Sequence, residues 1–172
     1  MHISKPCQHL LFALFFGSEY GVQIQDLRGT YEGLHPHLCA KYGEPHDPKD
    51  FEEALRILEG GFISLIGKEA RFVNPSLRDY LTGYIDDPVL LRDFAAATRQ
   101  ARWAQAVWQH GKRLKLSSDV LKAFALSFLG IAGVFTQLPT WEYVADTADS
   151  AECHEPTFRA FRSDFQETSG LD

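Results

Sequence analysis

Two kinds of feature in this chain could carry chemistry: a glycine-lysine segment and two histidine-cysteine groups. The segment from Gly61 to Glu69 has the outline of a phosphate-binding loop, because a lysine follows its second glycine. Its spacing is wrong, since five residues rather than four separate Gly61 from Gly67, and a glutamate instead of Ser or Thr follows Lys68. The pattern also places Gly67 in a hairpin turn, with no helix to receive phosphate at its N-terminus. The segment is therefore not predicted to bind ATP.

The two histidine-cysteine groups lie at residues 35–39 (HPHLC) and 153–155 (CHE). Imidazole nitrogen and thiolate sulfur are donors that zinc prefers, but a structural zinc site usually has two spaced pairs of ligands, and neither group shows such a pair. We interpret these residues as scattered surface histidines and predict no metal and no cofactor. No serine has a nucleophile-elbow setting, and no carboxylate pair stands apart from ordinary solvated faces. The chain is predicted not to be an enzyme.

Three helices are predicted before the glycine-lysine segment. The first covers residues 5–16, and the second starts near Ile24 and ends before a loop at residues 43–48. The third is expected to have Asp47 as its cap and Pro48 as its first residue, and apolar residues recur along it at helical spacing until two glycines end it.

A β-hairpin and a fourth helix follow. Short apolar or β-branched runs at residues 62–66 and 70–73 are joined by three residues that include a glycine, which is typical of a hairpin. Asn74 can then cap a helix that Pro75 opens and that continues to about residue 85. Three helices, a two-stranded wing and a fourth helix are the element order of a winged-helix domain. The predicted fold class is mainly α with a small β-hairpin.

The remainder of the chain is predicted to be helical. After Asp87 and Pro88, apolar residues keep a 3.6-residue period for more than five turns, which indicates one long helix. Ser117 or Ser118 can cap the next helix, whose apolar run at residues 120–135 contains Lys122 and is too short to span a membrane. We therefore predict a winged-helix domain at residues 1–86, a helical bundle or the start of an α-solenoid at 87–148, and an acidic C-terminal tail at 149–172.

Charge is distributed unevenly along the chain. The net charge is −6 overall, but it is +5 over residues 88–116, −3 over residues 40–60 and −6 over residues 142–172. The acidic third helix argues against the usual insertion of that helix into the DNA major groove. The basic stretch is a candidate patch for nucleic acid or for an acidic protein surface, and its candidate residues are Arg99, Arg102, Lys112, Arg113 and Lys115. Three widely spaced cysteines without a signal peptide predict reduced thiols and a cytoplasmic location.

The sequence FVNPSLRDYL at residues 72–81 resembles the winged-helix domain of STAND-type P-loop NTPases, which are signal-transducing ATPases found in resistance and defence proteins. The resemblance extends over about residues 8–115 and includes the third helix (FEEALRILEGGFI), the wing and the D-P-x-L-L start of the next helix. It is similar to the region after the ATPase core in a bacterial group called novel STAND. The resemblance implies a role in signalling or defence.

In resistance-protein ATPases, a histidine at the position of Asn74 touches bound ADP. The resemblance therefore makes Asn74, Arg78 and Asp79 candidates for nucleotide sensing or interdomain contact, although asparagine carries no charge and Pro75 replaces the family's acidic residue. The sequence contains no Walker motifs, so we expect a C-terminal piece, a split gene product or a truncated chain. The leading hypothesis is a non-catalytic regulatory and protein-interaction module whose partner is a P-loop NTPase core in cis or in trans. The alternative is a DNA-binding winged-helix transcriptional regulator.

Overall fold

The computed structural model describes residues 3–128 and residue 168. Within that part of the chain the protein is mainly helical with a small antiparallel sheet, which confirms the predicted fold class. The elements in chain order are α1 (Lys5–Phe15), β1 (Val22–Gln23), α2 (Ile24–Tyr42), α3 (Asp50–Leu58), β2 (Ile63–Ile66), β3 (Glu69–Phe72), α4 (Pro75–Ile85), α5 (Pro88–Ala96), α6 (Ala101–Arg113) and α7 (Ser118–Leu126).

The sheet is a hairpin with one extra short strand. β2 and β3 pair antiparallel with Leu65 opposite Ala70, and Gly67 takes the left-handed conformation that the turn requires. β1 joins the other edge of β3, so the strand order is β1-β3-β2. The hairpin confirms the sequence prediction. The two residues of β1 were not predicted, because alternation cannot be recognised over so short a segment.

Helix α1 is the centre of the core. Every residue from His9 to Phe16 is buried, and a helix that is apolar all round is typical of a protein interior. Helices α2 and α3 pack against it, and Leu10, Leu34 and Leu58 are completely buried. Side chains from α5, α6 and α7 belong to the same hydrophobic cluster. The helices after residue 86 therefore share a core with the helices before it, while the predicted domain boundary there stays a prediction.

The prediction of one long helix after Pro88 is wrong, because the structure has two helices there, α5 and α6. Residues 97–100 interrupt it: the Thr98 hydroxyl donates to the Phe94 carbonyl, and Gln100 has extended backbone angles. The Gln100 side chain accepts a hydrogen bond from Thr30 Oγ1 at 3.1 Å on α2. This contact with α2 stabilises the interruption between α5 and α6. The apolar residues keep their helical period across the interruption, so the sequence pattern does not show it.

A buried carboxylate connects α5 to α2. Asp93 is almost completely buried, accepts from Tyr42 Oη at 2.9 Å and pairs with Lys41 Nζ. Charge-assisted bonds of this kind are stronger than neutral ones, and they offset the cost of burying the carboxylate. Asp93 is the one acid among the basic residues at 88–116, and it connects α5 to the end of α2.

Helices α6 and α7 meet at a glycine. A methyl group at Gly111 would lie 2.9 Å from Phe124 Cζ and closer still to Cε1, and the buried Phe124 ring stacks on Trp108 at 5.5 Å. Gly111→Ala is therefore expected to lower the free energy of unfolding by about 1–3 kcal/mol, since the buried Phe124 ring must shift to make room for the methyl group. Urea titration followed by tryptophan fluorescence measures this change.

Gly83→Ala is the matched control. Gly83 lies in α4, is exposed, and has no atom within 4 Å of the added methyl group. Because alanine is the better helix former, this variant is expected to gain up to about 1 kcal/mol. A gain of the same size for Gly111→Ala would contradict the close packing of α6 on α7.

None of the helices in the described ranges is long and apolar enough to cross a membrane. Helix α7 covers the start of the apolar run predicted at residues 120–135. The rest of that run, the helix expected after Pro139, the acidic tail and the histidine-cysteine group at residues 153–155 lie outside the described residues.

Candidate functional site

A buried polar cluster lies between α1 and α2. His9 Nδ1 is 2.7 Å from His35 Nδ1, and Cys39 Sγ is 3.7 Å from both ring nitrogens of His35. His35 and Cys39 are one helical turn apart on α2, so their side chains point the same way toward α1. Their exposed fractions are 2% and 1%. Three side chains that can bind metals therefore meet inside the protein.

The cluster continues to α3 through Asp50. His35 Nε2 is 3.0 Å from Asp50 Oδ2, and that oxygen also accepts from the Asp47 backbone at 2.6 Å. Because an ionised carboxylate only accepts hydrogen bonds, Nε2 of His35 carries a proton. A His35 ring that is protonated at Nε2 alone accepts at Nδ1, and in that form the hydrogen bond between the rings is donated by His9 Nδ1. Burial, and then the neighbouring His35, lower the pKa of His9 to about 3, so His9 is neutral at pH 7.

The order Cys39, His35, Asp50 resembles a nucleophilic triad, but the geometry does not support one. A catalytic thiol must reach substrate and form a thiolate readily. Cys39 is enclosed, and burial together with the charges of Asp50 and Glu44 raises the pKa of its thiol. Covalent catalysis at Cys39 is therefore not supported.

The interpretation of residues 35–39 as scattered surface histidines is wrong. His35 and Cys39 are buried, whereas His37 is only half-buried and is not among the clustered ligands. The i, i+4 spacing of His35 and Cys39 was a usable signal, because it puts both on one face of a helix. His9 could not be found from spacing, since 26 residues separate it from His35 and only tertiary packing brings them together.

The nucleotide-sensing candidates do not form one site. Asn74 caps α4 by accepting from the Ser76 backbone at 2.9 Å, as the sequence predicts. Arg78 lies with its guanidinium 5.0 Å above the Phe15 ring, and burial lowers its pKa. Asp79 is exposed. The Arg78 side chain therefore points toward α1, while the Asn74 side chain is occupied in capping α4.

The basic candidates are all exposed and form two groups. Arg99 and Arg102 lie near the start of α6, and Lys112, Arg113 and Lys115 lie at or just beyond its end. Ten residues of helix separate Arg102 from Lys112, which corresponds to about 15 Å. Cations in the last turn are favourable there because they face the negative end of the helix dipole. The basic stretch that was predicted as one patch is therefore two separate groups, one near each end of α6.

The glycine-lysine segment is a hairpin turn. The Lys68 carbonyl accepts from the Ile24 backbone at 2.8 Å, and Glu69 accepts from the Gln23 side chain at 2.9 Å. These bonds fasten the turn to the start of α2. The turn thus has a structural role, and Glu69 at its end would repel a phosphate.

An exposed aromatic area occupies one side of α4. Tyr80 and Tyr84 are one turn apart with exposed fractions of 67% and 54%, and Tyr42 at the end of α2 is 55% exposed. The Tyr84 ring stacks on Phe12 at 5.8 Å, and Tyr84 is near enough to Tyr42 to contribute to its raised pKa, which is caused first by the hydrogen bond to Asp93. We call Tyr42, Tyr80 and Tyr84 the tyrosine surface.

Comparison with known proteins gives no match of this chain to any family model, curated protein or solved structure.

Proposed function

We propose that this chain is a non-catalytic protein-interaction module and that the tyrosine surface is its main contact area. Tyrosine is enriched at the centres of protein interfaces, because it combines a large apolar ring with a polar tip and has few rotatable bonds. Here the rings are held in place: Tyr84 by Phe12 and Tyr42 by its bond to Asp93. Exposed rings that are already ordered lose little entropy on binding, and this is the observation that carries the proposal.

The order of the elements supports a winged-helix unit as the framework of this module. A helix, a short strand, two helices and a hairpin whose second strand pairs with the first strand follow one another in the order that such domains use. Together with the resemblance of residues 72–81 to STAND-type NTPases, this favours a P-loop NTPase core as the partner, in cis or in trans. A cytoplasmic role in signalling or bacterial defence belongs to the same proposal.

The surface of α3 favours a protein partner over DNA. Glu52 and Glu53 are exposed on α3, Glu59 is exposed directly after it, and Arg28 of α2 is paired with Glu52 at 2.7 Å. Phosphates approaching this helix would meet these carboxylates, and Arg56 is the single cation within α3. DNA binding through α3 is therefore disfavoured.

Photo-crosslinking tests the interaction. A benzophenone amino acid placed at Tyr80 or Tyr84 of the full chain in the source cell is expected to give a covalent adduct, identified by mass spectrometry as a P-loop NTPase segment. The same probe at Ile57, which is 50% exposed on α3, is the control and is expected to give none. Equal adducts at all three positions, no adduct at all, or ATP hydrolysis by the purified chain would overturn the proposal.

The alternative is DNA binding through the cations at the end of α6. It is favoured by one observation, the exposure of Lys112, Arg113 and Lys115 within four residues. Fluorescence anisotropy with a labelled duplex at low and high salt tests it. Salt-dependent binding that Arg113→Ala with Lys115→Ala removes would support this alternative, and no binding at low salt would exclude it.

A further inference from the structure

We propose that His9, His35 and Cys39 bind a zinc ion between α1 and α2. Each residue offers one ligand atom, and these atoms all lie within 4.8 Å of one another in the interior. Two imidazole nitrogens and one sulfur are a donor set that suits zinc, and three protein ligands leave a fourth position for water or an exogenous ligand. The site joins the central helix to its neighbour, so the ion would stabilise the core.

Two of the ligand separations can be compared with those of a zinc site. Tetrahedral zinc with bonds of about 2.0 Å to nitrogen and 2.3 Å to sulfur places ligands about 3.3 Å apart for two nitrogens and about 3.6 Å apart for nitrogen and sulfur. The observed separation is 3.7 Å from His35 to Cys39. The two histidine nitrogens are 2.7 Å apart and share a proton. Zinc replaces that proton, which requires the rings to separate by about half an ångström.

One rotation accompanies binding. Cys39 Sγ is equally distant from both ring nitrogens of His35, so it lies against the ring instead of in line with the Nδ1 lone pair. A change in the side-chain torsion of Cys39 or His35 brings the two into line. Cys39 must also lose its thiol proton, and the charge of the ion would drive that loss against the effect of burial.

His35 has the hydrogen-bond acceptor that metal-binding histidines commonly have at their second ring nitrogen. Histidine ligands commonly donate their second ring N–H to a carboxylate, which fixes the tautomer and the ring orientation. His35 does so through Nε2 to Asp50, and Asp50 is itself held by the backbone of Asp47. This arrangement leaves Nδ1 of His35 as its metal-binding atom.

A surface depression lies beside one of the three ligands. A depression of about 240 Å³ between α2 and the start of α3 has His35 in its wall, together with Tyr31, His46 and Phe51. His46 at its rim is exposed, with its ring centre 6.3 Å from that of His35. Of the three proposed ligands, His35 is the one that borders this depression.

Cobalt titration of the full chain tests this site. Cobalt(II) substitutes for zinc and reports its ligands, because tetrahedral coordination gives strong visible bands and a thiolate ligand gives a near-ultraviolet charge-transfer band. One equivalent of cobalt added to chelator-treated, reduced protein is expected to produce both, and zinc is expected to displace them. Zinc is also expected to raise the thermal unfolding midpoint, since it binds only the folded state.

The chain supplies matched controls. Cys7 is as buried as Cys39 and lies outside the cluster, so Cys7→Ser combined with Cys153→Ser leaves Cys39 as the sole thiol and is expected to keep both bands. Cys39→Ser is expected to lose the charge-transfer band, and Asp50→Asn to weaken binding by about 10- to 100-fold. Absence of the bands in the wild type, persistence of the charge-transfer band in Cys39→Ser, or loss of the bands in the sole-thiol variant would overturn the proposal. If Cys39→Ser fails to fold, as circular dichroism would show, the sole-thiol variant decides.

Discussion

Phe94→Ala is expected to lower the free energy of unfolding by about 3–5 kcal/mol, the range for deleting a buried aromatic side chain that leaves a cavity. Phe94 of α5 is completely buried. Its ring centre lies 5.3 Å from Phe12, 5.5 Å from Phe16 and 6.0 Å from Trp103. The residue thus connects α5 and α6 to the central helix, and three rings would lose contact with it at once.

Urea denaturation measures this loss, and Val89→Ala on the same helix is the control. Val89 is half-exposed near the start of α5, and its replacement by a better helix former is expected to change stability by less than about 0.5 kcal/mol. Fluorescence and circular dichroism are expected to report one transition, because the residues on both sides of position 86 share a core. A loss below about 1 kcal/mol for Phe94→Ala, or two separated transitions, would show that α5 and α6 are not integral to that core.

Metal-free protein is expected to lose stability as the pH falls below about 6.5, by up to about 1.4 kcal/mol for each pH unit from His9 alone. Burial holds the pKa of His9 at about 3 in the folded protein, against 6.5 as its ordinary value. The unfolded chain therefore binds a proton between these values and the folded protein does not. The contribution is fully present above pH 6.5 and is lost as the pH falls toward 3.

His9→Gln isolates this effect. The variant lacks the titrating group, so the pH dependence of its free energy of unfolding is expected to be shallower than that of the wild type between pH 6 and pH 4. Asp50 acts in the same direction in both proteins, because hydrogen bonds from the Asp47 backbone and from His35 outweigh its burial and lower its pKa. The comparison uses denaturant titrations with a chelator present. Identical slopes would show that His9 is not held neutral in the fold.

The elements that local sequence controls were predicted with good accuracy. Gly67 at the hairpin turn and Asn74 with Pro75 at the start of α4 act through their own backbone preferences, so they need no distant partner. The third helix was expected to start at Pro48 and starts at Asp50, because residues 48–49 form a turn in which Asp47 accepts from the backbone of Lys49. Helix ends are commonly uncertain by one or two residues, so a difference of two residues is within the expected range.

The features that the sequence could not supply depend on long-range contacts. The break between α5 and α6 is held by Gln100 against α2, at a separation of 70 residues. Asp93 looked like a lone acid in a basic stretch until the fold placed Lys41 and Tyr42 beside it. Exposure had the same limitation. The period of α4 predicts one apolar face that includes Tyr80 and Tyr84, but both tyrosines are exposed, and Tyr84 is supported by Phe12 on another helix.

The sequence by itself determined a mainly helical protein with one hairpin, since apolar period, glycines and prolines act over a few residues. It also determined that no phosphate-binding loop exists at residues 61–69, because that motif depends on exact local spacing. Only the tertiary structure decided that His9 meets His35 and Cys39 and that Asp50 completes the group. The reason is physical: the spacing of His35 and Cys39 shows only that they share one face of α2, and the packing of α1 and α3 against α2 brings His9 and Asp50 to them.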